Sequence, residues 1–72
     1  MGKDAISNQI RNLRFQHNEM TQQQLADKAG VTRQTIVAIE KGNYSPSLEL
    51  AFRIARVFGK SIEDVFHYDE EK

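Results

Sequence analysis

The sequence predicts an all-α fold, a compact five-helix bundle forming one domain over residues 1–68, and three observations carry that expectation. Apolar residues recur at helical spacing, and no stretch of strand length alternates clearly between apolar and polar residues. Thr21, Thr32, Ser47 and Ser61 each stand directly before such a periodic stretch, where a hydroxyl oxygen can accept from one of the first unpaired N–H groups of a helix. Gly30, Gly42 and Gly59 stand directly after the second, third and fourth stretches, where a left-handed residue ends a helix without steric penalty.

Ile6, Ile10 and Leu13 mark one face of a first helix expected over residues 7–17, fading near Asn18. Thr21-Gln22-Gln23-Gln24 has the form of a capping box, so a second helix is expected over 22–29, with Leu25, Ala26 and Ala29 inward and Gly30 as its stop. Thr32 caps a third helix over 33–41, whose inward pair is Ile36 and Ile39 and whose stop is Gly42. The run Gly42-Asn43-Tyr44-Ser45-Pro46 is turn-forming, and Ser47 then caps a fourth helix over 48–58 with Glu49, Arg53 and Arg56 on one polar stripe. Ser61-Ile62-Glu63-Asp64 is a second box-like start, opening a short fifth helix over 62–66 that carries Val65 and Phe66. From His67 onward a frayed end is expected, its residues 69–72 forming an acidic tail.

A chain of 72 residues lies near the lower limit for one hydrophobic core, and a substrate pocket would consume much of it, so a binding surface is favoured over an active site. The absence of cysteine excludes disulfides and thiolate metal sites, which suits a reducing cytoplasm. No apolar run nears the roughly 20 residues that span a bilayer, so a cytoplasmic protein with no membrane partner is expected. The formal charge is zero, but residues 1–60 hold nine Lys/Arg against five Asp/Glu while residues 61–72 hold one against five. A basic body thus precedes an acidic tail, which permits a polyanion-binding face. His17 and His67 have no Cys or carboxylate company at ligand spacing, so neither a metal nor any other cofactor is expected. No nucleophile, base and orienting group stand at workable spacing, and no glycine-rich phosphate loop is present, so enzyme chemistry is not expected.

Two short helices joined by a tight turn centred on Gly30 form a helix-turn-helix pattern. The outer face of the third helix offers Arg33, Gln34, Val37, Ala38 and Lys41, among which Arg suits guanine edges, Gln adenine edges and Val or Ala thymine methyls. The run from Thr21 through Gly30, Val31, Thr32, Arg33 and Gln34 to Ile36, continuing through Ile39-Glu40-Lys41-Gly42 and Pro46-Ser47-Leu48, closely resembles the lambda-repressor-like, Cro-type (xenobiotic-response-element) regulators over residues 8–66. That resemblance implies a prokaryotic or phage transcriptional regulator, commonly a repressor, that binds a double-stranded operator. It implies that Arg33, Gln34 and Ala38 face base edges, with Thr35 and Val37 close to the groove wall. Gln22 would meet a phosphate at the positive end of the second helix, beside Thr21, and Thr32 joins this phosphate set. Lys41, Asn43 and Tyr44 resemble the family's second backbone-contacting patch. The family often buries an arginine of the first helix against the glutamate ending the third, which here corresponds to Arg14 and Glu40.

Between the first two helices Gln16-His17-Asn18-Glu19 is one residue longer than the family pattern and lacks its turn glycine, which leaves the path of the first helix open. Phe52, Val57, Phe58, Ile62, Phe66 and Tyr68 offer more apolar surface than so small a bundle buries, and a homodimer through the fourth and fifth helices, on a near-palindromic operator, is the expectation. With no effector domain in view, regulation would be steric or by contact with RNA polymerase. The alternative is a protein-interaction module, such as an antitoxin whose fourth and fifth helices cover a partner.

Overall fold

The computed structural model describes residues 6–68, in the order β1 (Ile6–Asn8), α1 (Ile10–Gln16), α2 (Gln22–Ala29), α3 (Arg33–Lys41), α4 (Leu48–Val57), α5 (Ile62–Val65) and β2 (Phe66–Tyr68). The five helices close around one apolar cluster. Ile10, Leu25, Ile36, Ile39, Ile54 and Val65 are its largest fully buried side chains, so every helix contributes at least one. Each of these positions is set by a helical period that turns one apolar face inward, and burial of each side chain stabilises the fold by about 1.5–3 kcal/mol.

The two short strands are a departure from the all-helical reading of the termini. β1 and β2 pair antiparallel, with Ile6 opposite Tyr68, Ser7 opposite His67 and Asn8 opposite Phe66. Consequently the first helix starts at Ile10 instead of residue 7, and Ile6 sits on a strand, outside the core, with part of its surface exposed. Likewise α5 ends at Val65, since Phe66 is already extended at φ −117° and ψ 141°. His67 and Tyr68 belong to β2 and are not a frayed end. Strands of three residues are too short to display an alternation, and their pairing joins chain segments some sixty positions apart, so no local pattern announces them. The acidic segment 69–72 lies outside the described residues.

The link between α1 and α2 turns without glycine. Asn18 and Glu19 both take the left-handed conformation, at φ 59° and 54°. Asn tolerates that region, whereas a residue such as Glu carries a penalty of about 1–2 kcal/mol there. Two backbone bonds hold the turn against it, from Glu19 N–H to the Phe15 carbonyl at 3.2 Å and from Met20 N–H to the Arg14 carbonyl at 2.8 Å.

At the other side of the bundle, Phe58 corrects the expected dimer surface. It is buried in the core and meets the His17 ring edge-on, with centroids 5.1 Å apart. α4 ends at Val57, one residue earlier than expected, with Phe58 as its cap and left-handed Gly59 after it. Val57, Ile62 and Phe66 are half-buried against the core, while Phe52 and Tyr68 remain exposed.

Candidate nucleic-acid interface

The local chemistry of α2 and α3 explains why their mutual geometry is well defined. Thr21 Oγ1 accepts from the Gln24 N–H at 3.0 Å, and the Gln24 side chain returns the bond to the Thr21 N–H at 2.9 Å. At the far end Gly30, at φ 78°, lets its own N–H and that of Val31 both reach the Ala26 carbonyl. Thr32 then accepts from the Thr35 N–H at 3.3 Å and opens α3. The turn is thus three residues long, Gly30, Val31 and Thr32. Arg53 of α4 reinforces it by donating to the Ala29 carbonyl at 3.3 Å.

On α3 the buried side chains are Ile36 and Ile39, and the outward ones are Arg33, Gln34 and Lys41, which are exposed, with Thr35, Val37 and Ala38 half-exposed between them. Thr35 is also bonded to Thr32, hydroxyl to hydroxyl at 3.0 Å. The two residues expected at groove wall and phosphate therefore also stabilise the start of the helix. Thr21 is exposed at the start of α2, and Asn43 and Tyr44 are exposed in the loop after α3.

The sole carboxylate of α3 does not join this face. Glu40 receives Arg14 in a two-pronged contact, Nε to Oε2 at 2.8 Å and Nη2 to Oε1 at 3.1 Å, with side chains only 14% and 10% exposed. Arg14 also donates to the Met20 carbonyl at 2.9 Å, which ties the glycine-free turn to the same joint. The Gln22 side-chain amide donates to Glu40 Oε1 at 3.2 Å, so α1, α2 and α3 meet on one carboxylate. A Gln22 side chain so engaged still leaves its backbone N–H at the unpaired first turn of α2.

Asn8 escaped sequence reasoning. Its side-chain carbonyl accepts from the Ile10 N–H at 3.2 Å, and its amide donates to the Ile39 carbonyl at 3.0 Å. One residue thus caps α1, ends β1 and holds the last turn of α3. Its sequence signal was an Asn two residues before the first buried position, the spacing of a side-chain cap. The bond to Ile39, 31 positions away, had no signal.

This geometry defines a class: two capped helices at a tight turn, the second presenting a polar face with no free carboxylate, on a five-helix core. The chain belongs to the helix-turn-helix family, whose model matches residues 10–65. It is 54% identical over 67 residues to an uncharacterized HTH-type transcriptional regulator of Methanocaldococcus jannaschii, covering 93% of this chain and all of that one. It is also 36% identical over 60 residues to the cryptic phage CTXphi transcriptional repressor RstR of Vibrio cholerae, covering 83% of this chain and 53% of that repressor. The fold matches a solved structure from Bacteroides fragilis with a TM-score of 0.73 at 19% identity, over 86% of this chain and 98% of that one. The protein is accordingly a helix-turn-helix transcriptional regulator, a family of DNA-binding proteins and not of enzymes. Among the described residues, no helix is long and apolar enough to cross a membrane.

Proposed function

We propose that the protein is a sequence-specific repressor that reads the major groove of an operator with α3. The observation that supports this most is the sequestration of Glu40. With that carboxylate held by Arg14 and Gln22, the outward side of α3 offers Arg33 and Gln34 for base edges and Ala38 and Val37 for thymine methyls, with Thr35 beside them. Phosphates on either side are met by the start of α2 at Thr21 and Gln22, by Thr32, and by Lys41, Asn43 and Tyr44. The name of RstR, a phage repressor, favours repression over activation.

The binding unit is a homodimer formed through Phe52, Val57, Ile62, Phe66 and Tyr68, five apolar residues of α4, α5 and β2 that the core leaves wholly or partly uncovered. A two-fold pair would space the recognition helices by about 34–36 Å and require a near-palindromic operator. Such a regulator would act in the cytoplasm. Selection from a random duplex pool tests the reading, repeated with Arg33→Ala and Gln34→Ala. The expected result is a two-fold-symmetric motif in which each variant relaxes one position at a cost of about 1–3 kcal/mol. Enrichment of no sequence would refute operator binding, and a monomer in sedimentation at high concentration would refute the dimer.

A further inference from the structure

Three bonding systems meet at Asn8. It faces Phe66 across the strand pair, its Oδ1 accepts from the Ile10 N–H at 3.2 Å, and its Nδ2 donates to the Ile39 carbonyl at 3.0 Å. That carbonyl also accepts from the N–H of left-handed Gly42 at 3.0 Å, while the Asn43 N–H returns to the Ala38 carbonyl at 2.9 Å. The Asn8 side chain therefore binds α3 at the point where the helix stops and the loop carrying Asn43 and Tyr44 departs. The loop itself rests against the strand pair. Ile6, Asn8 and Phe66 meet Tyr44, Ser45 and Pro46 across a gap of about 10 Å³, at the limit for one water molecule. Among the described residues, Asn8 to Ile39 is the hydrogen bond that links α3 to the strand pair, whereas the turn before α3 is tied to α4 by Arg53.

We infer that Asn8 is a positioning residue for DNA binding, which fixes the far end of the recognition helix relative to the α5 and β2 side of the molecule. The inference rests on α3 reading a paired operator as a homodimer. In such a pair the distance between the two recognition helices is set by the dimer contact, so every joint between that contact and α3 enters the spacing that the protein accepts. Phe66 and Tyr68 of β2 belong to the proposed contact, β2 is paired with β1, and Asn8 joins β1 to α3. Apolar packing around Ile39 is non-directional and by itself lets a helix end shift, whereas a hydrogen bond to one carbonyl gives it a single seat. Without that bond the helix end must be ordered when DNA binds, once in each protomer.

The test separates operator spacing from affinity. Full-length protein is titrated against a duplex selected by the wild type, and against the same duplex with one base pair inserted between the half-sites, which moves them about 3.4 Å further apart. The readout is the ratio of the two affinities. Asn8→Asp keeps an oxygen for the Ile10 N–H and replaces the donor to Ile39 by a second acceptor, and Asn8→Ser keeps a cap oxygen on a side chain too short to reach Ile39. Both variants are expected to lower the ratio about tenfold, as ordering one freed helix end in each protomer dictates. Ile54→Val, a destabilising change in the core away from these joints, should leave the ratio unchanged. A wild-type ratio in both Asn8 variants would overturn the assignment while leaving operator reading intact, because loss of folded protein alone scales both affinities equally. If the wild type selects no duplex, or only a single unpaired site, the underlying reading falls and the inference with it.

Discussion

Arg14–Glu40 and Arg53–Glu49 close at the same 2.8 Å, yet they belong to different regions and do different work. The first joins α1 to α3 across 26 positions, is nearly enclosed, and collects Gln22 and the Met20 carbonyl around the same groups. The second links neighbouring turns of α4 with side chains 52% and 75% exposed. Contact distance therefore says little about worth. Enclosure decides it, because a charge cut off from water cannot replace a lost partner by hydration, whereas an exposed one can.

That contrast is most severely tested by Glu40→Ala, which strands the Arg14 guanidinium. Removing one member of an enclosed pair costs about 3 kcal/mol, which in a domain of this size lowers the melting temperature by roughly 12–24 °C. A drop of only a few degrees in calorimetry would show that Arg14 rehydrates and that the joint is not enclosed in solution. Replacing both partners by apolar residues, Arg14→Met with Glu40→Leu, should recover much of the loss, since no buried charge remains.

Asn8→Ala ranks next. It removes a cap from α1 and a bond to the end of α3, and two such bonds are worth about 2 kcal/mol together. Denaturant titration checks the figure, and a loss below a quarter of that would mean the strand pair positions α1 without Asn8. Thr21→Ala should cost about 1 kcal/mol by deleting one half of the capping box on α2. Unchanged chemical denaturation would show that tertiary packing alone holds the start of that helix. The smallest effect belongs to Glu49→Ala, at about 0.3–0.5 kcal/mol, falling further as salt rises. A larger, salt-insensitive loss would reverse the comparison, and would point instead to the Arg53 bond onto the end of α2.

Most of the helical plan was legible because it is local. Thr21, Thr32, Ser47 and Ser61 each cap a helix through bonds spanning three residues, and Gly30 and Gly42 act within one turn of the helix they end. Inward positions such as Leu25, Ile36 and Ile39 followed from a 3.6-residue period that any single helix displays. The errors fell where the deciding contact is distant. Ile6 and Phe66 read as helix and are strand, because each is paired with the opposite end of the chain. Phe58 read as surplus surface and is core, because it joins the apolar cluster built by distant helices and meets His17 from beyond the end of α1.

The candidate interface divides along the same line. Sequence alone determined which residues α3 turns outward, since its cap, its stop and its apolar period are all read within the helix itself. Only the tertiary structure decided that Glu40 is withdrawn from that face and that Asn8 joins β1, α1 and α3. Those outcomes depend on side chains separated by 18 to 31 positions in the bonds that build them, and no local pattern records which distant partner will remove a charge from water.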